Sequence, residues 1–174
     1  LGTERKRGKL ATQIYHFLLG DPSMCSYTDK VIKQLEPAKI KFLNTWNKAF
    51  TAPYCDDDIE TLKKLSKTID KLWKDQISLR QQLEQQTHDS LSVFKFNDDE
   101  PDSHTSIRTK DQMLRTMYRS ENAKNAGAYA RLKFAMDYWC ALWFWPIDKA
   151  DLLPSRSEFL NDMYMILVGL YSTN

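Results

Sequence analysis

Residues 56–88 read DDDIETLKKLSKTIDKLWKDQISLRQQLEQQTH and contain no glycine and no proline. A helix interior tolerates those two residues least, so their absence over this length predicts one long helix. Leu62, Leu65, Ile69, Leu72, Gln76, Leu79, Leu83 and Gln86 alternate steps of three and four. That is the repeat, roughly 3.5 residues, of a helix burying one seam against another helix. Asp56, Asp57 and Asp58 suit the helix start, as caps and as charges facing the positive end of its dipole. Polar Gln76 and Gln86 weaken the distal half of the seam. They fit a helical hairpin better than a strong dimeric zipper.

A buried seam needs a partner, and a second long helix is expected to begin near Thr109. Met117, Ala128, Leu132, Ala135, Trp139 and Leu142 fall on a similar seam. Its middle, 120–127, is polar and small; either two helices meet there or one continues with a weak point at Gly127. Pro146 is expected to end it at about Trp145, because the residue before proline avoids the helical region. Residues 89–106 contain VFKF and then NDDEPDSH, and read as the connecting loop.

Shorter helices are expected alongside. Residues 28–35 form one, with Thr28 as cap. Pro37 opens another that runs to residue 50, with Ile40, Phe42, Leu43, Trp46 and Phe50 as its apolar stripe and Ala52-Pro53 as its break. In LLPSRSEFLNDMYMILVG, residues 152–169, Ser155 and Glu158 make a capping box. Phe159, Met163, Ile166 and Leu167 then face one way, and Gly169 stops the helix. QIYHFLLGDP, residues 13–22, is a short strand or a buried helical turn; periodicity does not separate the two. The fold class expected is all-α: a long antiparallel helical hairpin packed with shorter helices, with a short strand near the N-terminus as the open alternative. Residues 1–174 are expected to form one domain, with 1–12 as a basic flexible tail. The chain opens Leu-Gly-Thr-Glu-Arg, which reads as a piece of a larger protein.

The bulk numbers exclude more than they assign. Net charge is +2 with 28% charged residues, so composition exerts no strong pull toward nucleic acid or membrane. No apolar run approaches the roughly 20 residues of a membrane span. Cys25, Cys55 and Cys140 lie far apart and are odd in number, which fits a reducing, cytoplasmic setting better than a disulfide framework. The five glycines never lie two apart, so a Gly-rich turn for a nucleotide or methyl-donor cofactor is missing. His16, His88 and His104 are scattered, so no metal site is expected. No serine sits in a G-x-S-x-G elbow.

Two features invite a functional reading. Arg5, Lys6, Arg7 and Lys9 in the tail, with Lys67, Lys71 and Lys74 on the long helix, are candidate phosphate contacts. Lys63 and Lys64 extend that row, but Glu60, Asp70 and Asp75 beside it favour a salt-bridged, solvated face. WCALWFWPID, residues 139–148, concentrates three tryptophans. On a helix Trp139, Leu142 and Trp143 share one face, and Trp145 is expected to pack on the chain leaving Pro146. A base-stacking platform would carry interleaved Lys or Arg, and this stretch lacks them until Lys149, so an aromatic core is expected.

The segments IYHFLLGDPSM, DKVIKQLEP, WNKAFTAPY, TIDKLWKDQISLRQQ and DYWCALWFWPIDKADLLPSRSEFLNDM appear in this order. Together they resemble an internal region of large bacterial DNA adenine-N6 methyltransferases, the methylase subunits of type II restriction-modification systems linked to phage defence. The resemblance runs from about residue 13 to residue 169. It implies a parent enzyme that moves a methyl group from S-adenosylmethionine to a flipped adenine. The family's Asn-Pro-Pro-aromatic motif cannot lie here, since the six prolines are never adjacent. The resemblance therefore implies a non-catalytic spacer that holds no cofactor, whose partners are the rest of the parent enzyme and, through it, DNA. A DNA-contacting module and a protein-interaction hairpin remain the alternatives.

Overall fold

The computed structural model describes residues 13–88, 105–118 and 127–169. It is all-α, with no strand among the described residues. The basic tail with Arg5, Lys6, Arg7 and Lys9, most of the expected 89–106 loop, and the polar stretch before Gly127 lie outside them.

Six α-helices are described: α1 (Lys30–Leu35), α2 (Pro37–Phe50), α3 (Asp56–Thr87), α4 (Ile107–Tyr118), α5 (Ala128–Ala141) and α6 (Arg156–Val168). Short 3-10 segments, His16–Leu18 and Ile147–Leu152, precede α1 and α6. The 13–22 stretch is thus a turn and not a strand; it buries Phe17 and Leu18 and leaves the sheet geometry it would have needed without a partner strand among the described residues.

Local chemistry sets the helix ends. Asp29, not Thr28, caps α1: its Oδ1 accepts from the Val31 and Ile32 amides at 2.8 and 2.9 Å. Pro37 opens α2 as expected. The α3 cap is Cys55, whose Sγ accepts from the Asp58 amide, while Asp56, Asp57 and Asp58 fill the first turn. Ser155 and Glu158 form the full capping box of α6, and Gly169 closes it at φ 83° with its amide on the Met165 and Ile166 carbonyls. A side chain there would be strained and would crowd Arg131.

Of the two alternatives for the second rod, the structure describes two helices and not one. Gly127 sits in extended geometry (φ −65°, ψ 154°) and starts α5 afresh, so α4 and α5 are separate. The helix also ends earlier than Trp145, at Ala141. Residues 142–144 tighten into 3-10 bonds, from Leu142, Trp143 and Phe144 to the carbonyls of Trp139, Cys140 and Ala141. Pro146 demands an extended Trp145, and the chain unwinds over a whole turn to reach it.

The directions of the packed helices follow from their contacts. Arg131 near the start of α5 reaches the Leu167 carbonyl near the end of α6, and Tyr138 bonds Asp162, so α5 and α6 are antiparallel. Arg156 at the start of α6 pairs with Asp58 at the start of α3, and Thr61 faces the same cleft as Asn161 and Tyr164. Those two helices are parallel, which makes α5 antiparallel to α3 as the hairpin expectation required. The core sits where they meet. It buries Leu62, Leu65, Ile69 and Leu72 of α3, Leu132 and Ala135 of α5, and Phe159, Met163, Ile166 and Leu167 of α6. From α2 it takes Leu43, Trp46 and Phe50, positions that share one helix face. Phe42, one residue off that face, is 47% exposed and lies outside the core.

Only the proximal half of the α3 seam is used in this way. Gln76 and Leu83 are half-buried, Leu79 is 38% exposed and Gln86 is exposed. From Trp73 to Thr87 the helix continues as an arm about 22 Å long at the usual helical rise. Thr105, just before α4, donates its hydroxyl to the Gln86 carbonyl at 3.2 Å, which sets the start of α4 beside the tip of the arm.

Candidate functional site

The aromatic stretch 139–148 works as a set of braces. Trp139 Nε1 donates to the Leu19 carbonyl at 2.8 Å, tying α5 to the N-terminal turn. Trp145 Nε1 donates to the Lys149 carbonyl at 2.8 Å, holding the chain that leaves Pro146. The Tyr27 hydroxyl bonds the Trp145 carbonyl. Trp139 and Trp143 meet edge to face at 5.4 Å between centroids. Trp143 Nε1 is buried with no hydrogen-bond partner among the described residues. Phe144, by contrast, is 85% exposed. Trp46 repeats the bracing from α2, donating to the Pro154 carbonyl at 2.7 Å and stacking on Phe50 at 4.7 Å. The indoles of Trp46 and Trp139 therefore spend their N–H groups on main-chain carbonyls where segments cross, and that of Trp145 on a carbonyl four residues on, while Trp143 Nε1 takes no partner among the described residues.

Cys25 lies under this cluster. Its backbone is left-handed at φ 53°, and its Sγ donates to the Leu142 carbonyl at 2.9 Å. Burial pushes its thiol up to about 11, against a smaller opposing effect of the Trp145 backbone. Such a thiol is an inert packing group, since the thiolate is the reactive form. Tyr15 is pushed up to about 12 by burial first and then by Asp70, which accepts its hydroxyl at 2.7 Å.

Arg156 is a residue whose position the sequence did not signal. Its guanidinium meets Asp58 at 3.2 Å, donates to the Ala52 carbonyl and lies 4.8 Å above the Tyr54 ring. It joins the start of α6 to the turn before α3. Asp58 and Glu158 face the cleft between these helices, but Asp58 is held by Arg156 and Glu158 by its capping box. The Ser155 amide and hydroxyl hold the Glu158 carboxyl below the usual carboxylate range. These are structural duties for carboxylates, not the paired roles of an acid and a base.

The lysine candidates fall on one ridge. Lys67, Lys71 and Lys74 are exposed and take no ion pair among the described residues. They project from the face of α3 opposite Leu62, Leu65, Ile69 and Leu72. Lys64 is tied to Glu60 at 2.8 Å, and both are well exposed. The ridge is geometrically open to a phosphate backbone, and it is also what a solvated outer face looks like.

S-adenosylmethionine, which the family resemblance implies for the parent, does not fit the residues described. Its usual cradle is a Gly-rich turn, and each described glycine has another task. Gly20 packs so close that a Cβ would meet Phe50 at 2.7 Å; Gly127 starts α5 and Gly169 ends α6. Among the described residues no three His, Cys, Asp or Glu side chains converge, and no helix is long and apolar enough to cross a membrane. Comparisons with protein-family models, curated proteins and solved structures give no match.

Proposed function

We propose that the chain is a non-catalytic helical spacer of an S-adenosylmethionine-dependent DNA adenine-N6 methyltransferase. The setting is the cytoplasm of a bacterium with a restriction-modification or phage-defence system. One observation carries the structural half of this reading: a braced aromatic core holds the first half of α3 rigidly, while its second half projects as an arm. Such a body sets the distance and angle between parts attached to it. The resemblance of residues 13–169 to methylase subunits supplies the identity of those parts, and catalysis and cofactor binding belong to them. The test replaces this region in a parent methyltransferase by a flexible Gly/Ser linker. Adenine methylation is expected to collapse while S-adenosylmethionine binding persists; full methylation with the linker would refute the reading. The isolated chain is expected to give no calorimetric heat with S-adenosylmethionine.

The open ridge of Lys67, Lys71 and Lys74 favours a second reading, a direct DNA contact. It requires duplex binding that weakens steeply with salt and shallows when the three lysines become glutamine. Binding that ignores those substitutions would remove it.

A further inference from the structure

Beside its inward seam, α3 carries a second stripe that the described chain covers only in part. Ser66, Asp70, Trp73 and Ile77 are spaced four, three and four apart, so they lie along one line of the helix. At one end of this line sits the N-terminal segment. The Tyr15 amide donates to Ser66 Oγ at 3.4 Å, and the Tyr15 hydroxyl donates to Asp70 at 2.7 Å. Ser66 is 4% exposed under it, whereas Trp73 and Ile77 farther along are 37% and 52% exposed. The stripe loses its cover where the described chain stops, at Gln13.

The path of that segment points onward along the stripe. Gly20 donates its amide to the Tyr54 hydroxyl, just before α3 begins, and by Tyr15 the chain has reached Ser66 and Asp70, well inside the helix. Followed toward lower numbers, it therefore climbs α3 in the direction of Trp73. Leu10 lies five residues before Tyr15, about 16 Å of extended chain, and Ile77 lies eleven residues beyond Ser66, about 16 Å of helix. Leu10 is also the one large apolar residue between residues 2 and 13. Arg7 comes level in the same way with Glu84, about 26 Å along. Lys74 and Arg80 border the stripe, so the apolar pair supplies the attraction and Glu84 sets the register. We propose that the stripe of Trp73 and Ile77 is the seat of this chain's own residues 1–12, which lie extended along α3 with Leu10 on both side chains. Seated there, the segment straps the root of the arm to the core. It also sets Arg5, Lys6, Arg7 and Lys9 beside the ridge of Lys67, Lys71 and Lys74. The seat stands whether or not the parent is a methyltransferase.

Photo-cross-linking of the full chain with p-benzoylphenylalanine in place of Leu10 tests the seat. The expected product is a monomer of 20.4 kDa plus the probe, with its adduct in α3 between Leu72 and Arg80 by peptide mass spectrometry. An adduct on another element, an adduct that joins two chains, or no adduct would overturn the proposal. Fluorine NMR of chain labelled with 5-fluorotryptophan reads the same contact without the probe. The Trp73 signal, identified by its loss in Trp73→Phe, is expected to shift in Leu10→Asp, while the other tryptophan signals and the melting of the core stay in place. A Trp73 signal that ignores Leu10→Asp would also sink the idea.

Discussion

Cys25 and Tyr15 show how burial converts ordinary side chains into pH-dependent supports. The thiol titrates normally near 9.0 and here near 11; the phenol normally near 10.0 and here near 12. Both folded values are raised, so the unfolded chain releases these protons first. Their contribution is whole below about pH 9 and drains away as pH climbs through the folded values. Stability measured by denaturant is therefore expected to fall between pH 9 and 12, and Cys25→Ala should flatten the lower part of that fall. At neutral pH a thiol reagent should modify exposed Cys55 and Cys140 quickly and reach Cys25 only on unfolding. Spacing alone told that the cysteines were not a framework. It did not tell which one was buried, because burial depends on the Leu142 turn, 117 positions away.

At the scale of elements, α3 divides into two halves of one helix with different fates. The first half packs on α5 and α6, and the second has few buried contacts. Backbone amides from Leu62 to Leu72 should exchange hydrogen only through global unfolding, and those from about Ile77 to Thr87 orders of magnitude faster. Equal protection along the helix would contradict this division. Ser155→Ala removes the cap of α6 and should cost about 0.5–2 kcal/mol in denaturant melts. The helix starts at Pro37, Asp56 and Ser155 were legible because caps and prolines act within a turn or two. The earlier end of α5 was not, since it reflects how Trp139 and Trp145 reach different carbonyls.

For the whole molecule, aromatic rings link helices across a mostly aliphatic core. Phe50 stacks on Trp46 and meets the Phe159 ring at 5.4 Å, joining α2 to α6. Phe50→Ala should cost about 3–5 kcal/mol and lower a single cooperative melting transition. A melt in two separate steps would show that α2 is not part of the same cooperative unit. The sequence by itself determined the helical class, the length of α3, the proximal half of its inward seam and the capping box of α6, because periodicity and capping are local physics. Only the tertiary structure decided where the seam stops being buried, that the helix after Gly127 ends at Ala141, and that Arg156 locks two helix starts together. Those outcomes depend on which surfaces are near one another in space, and residues 98 positions apart, as Arg156 and Asp58 are, leave no periodic trace of their meeting.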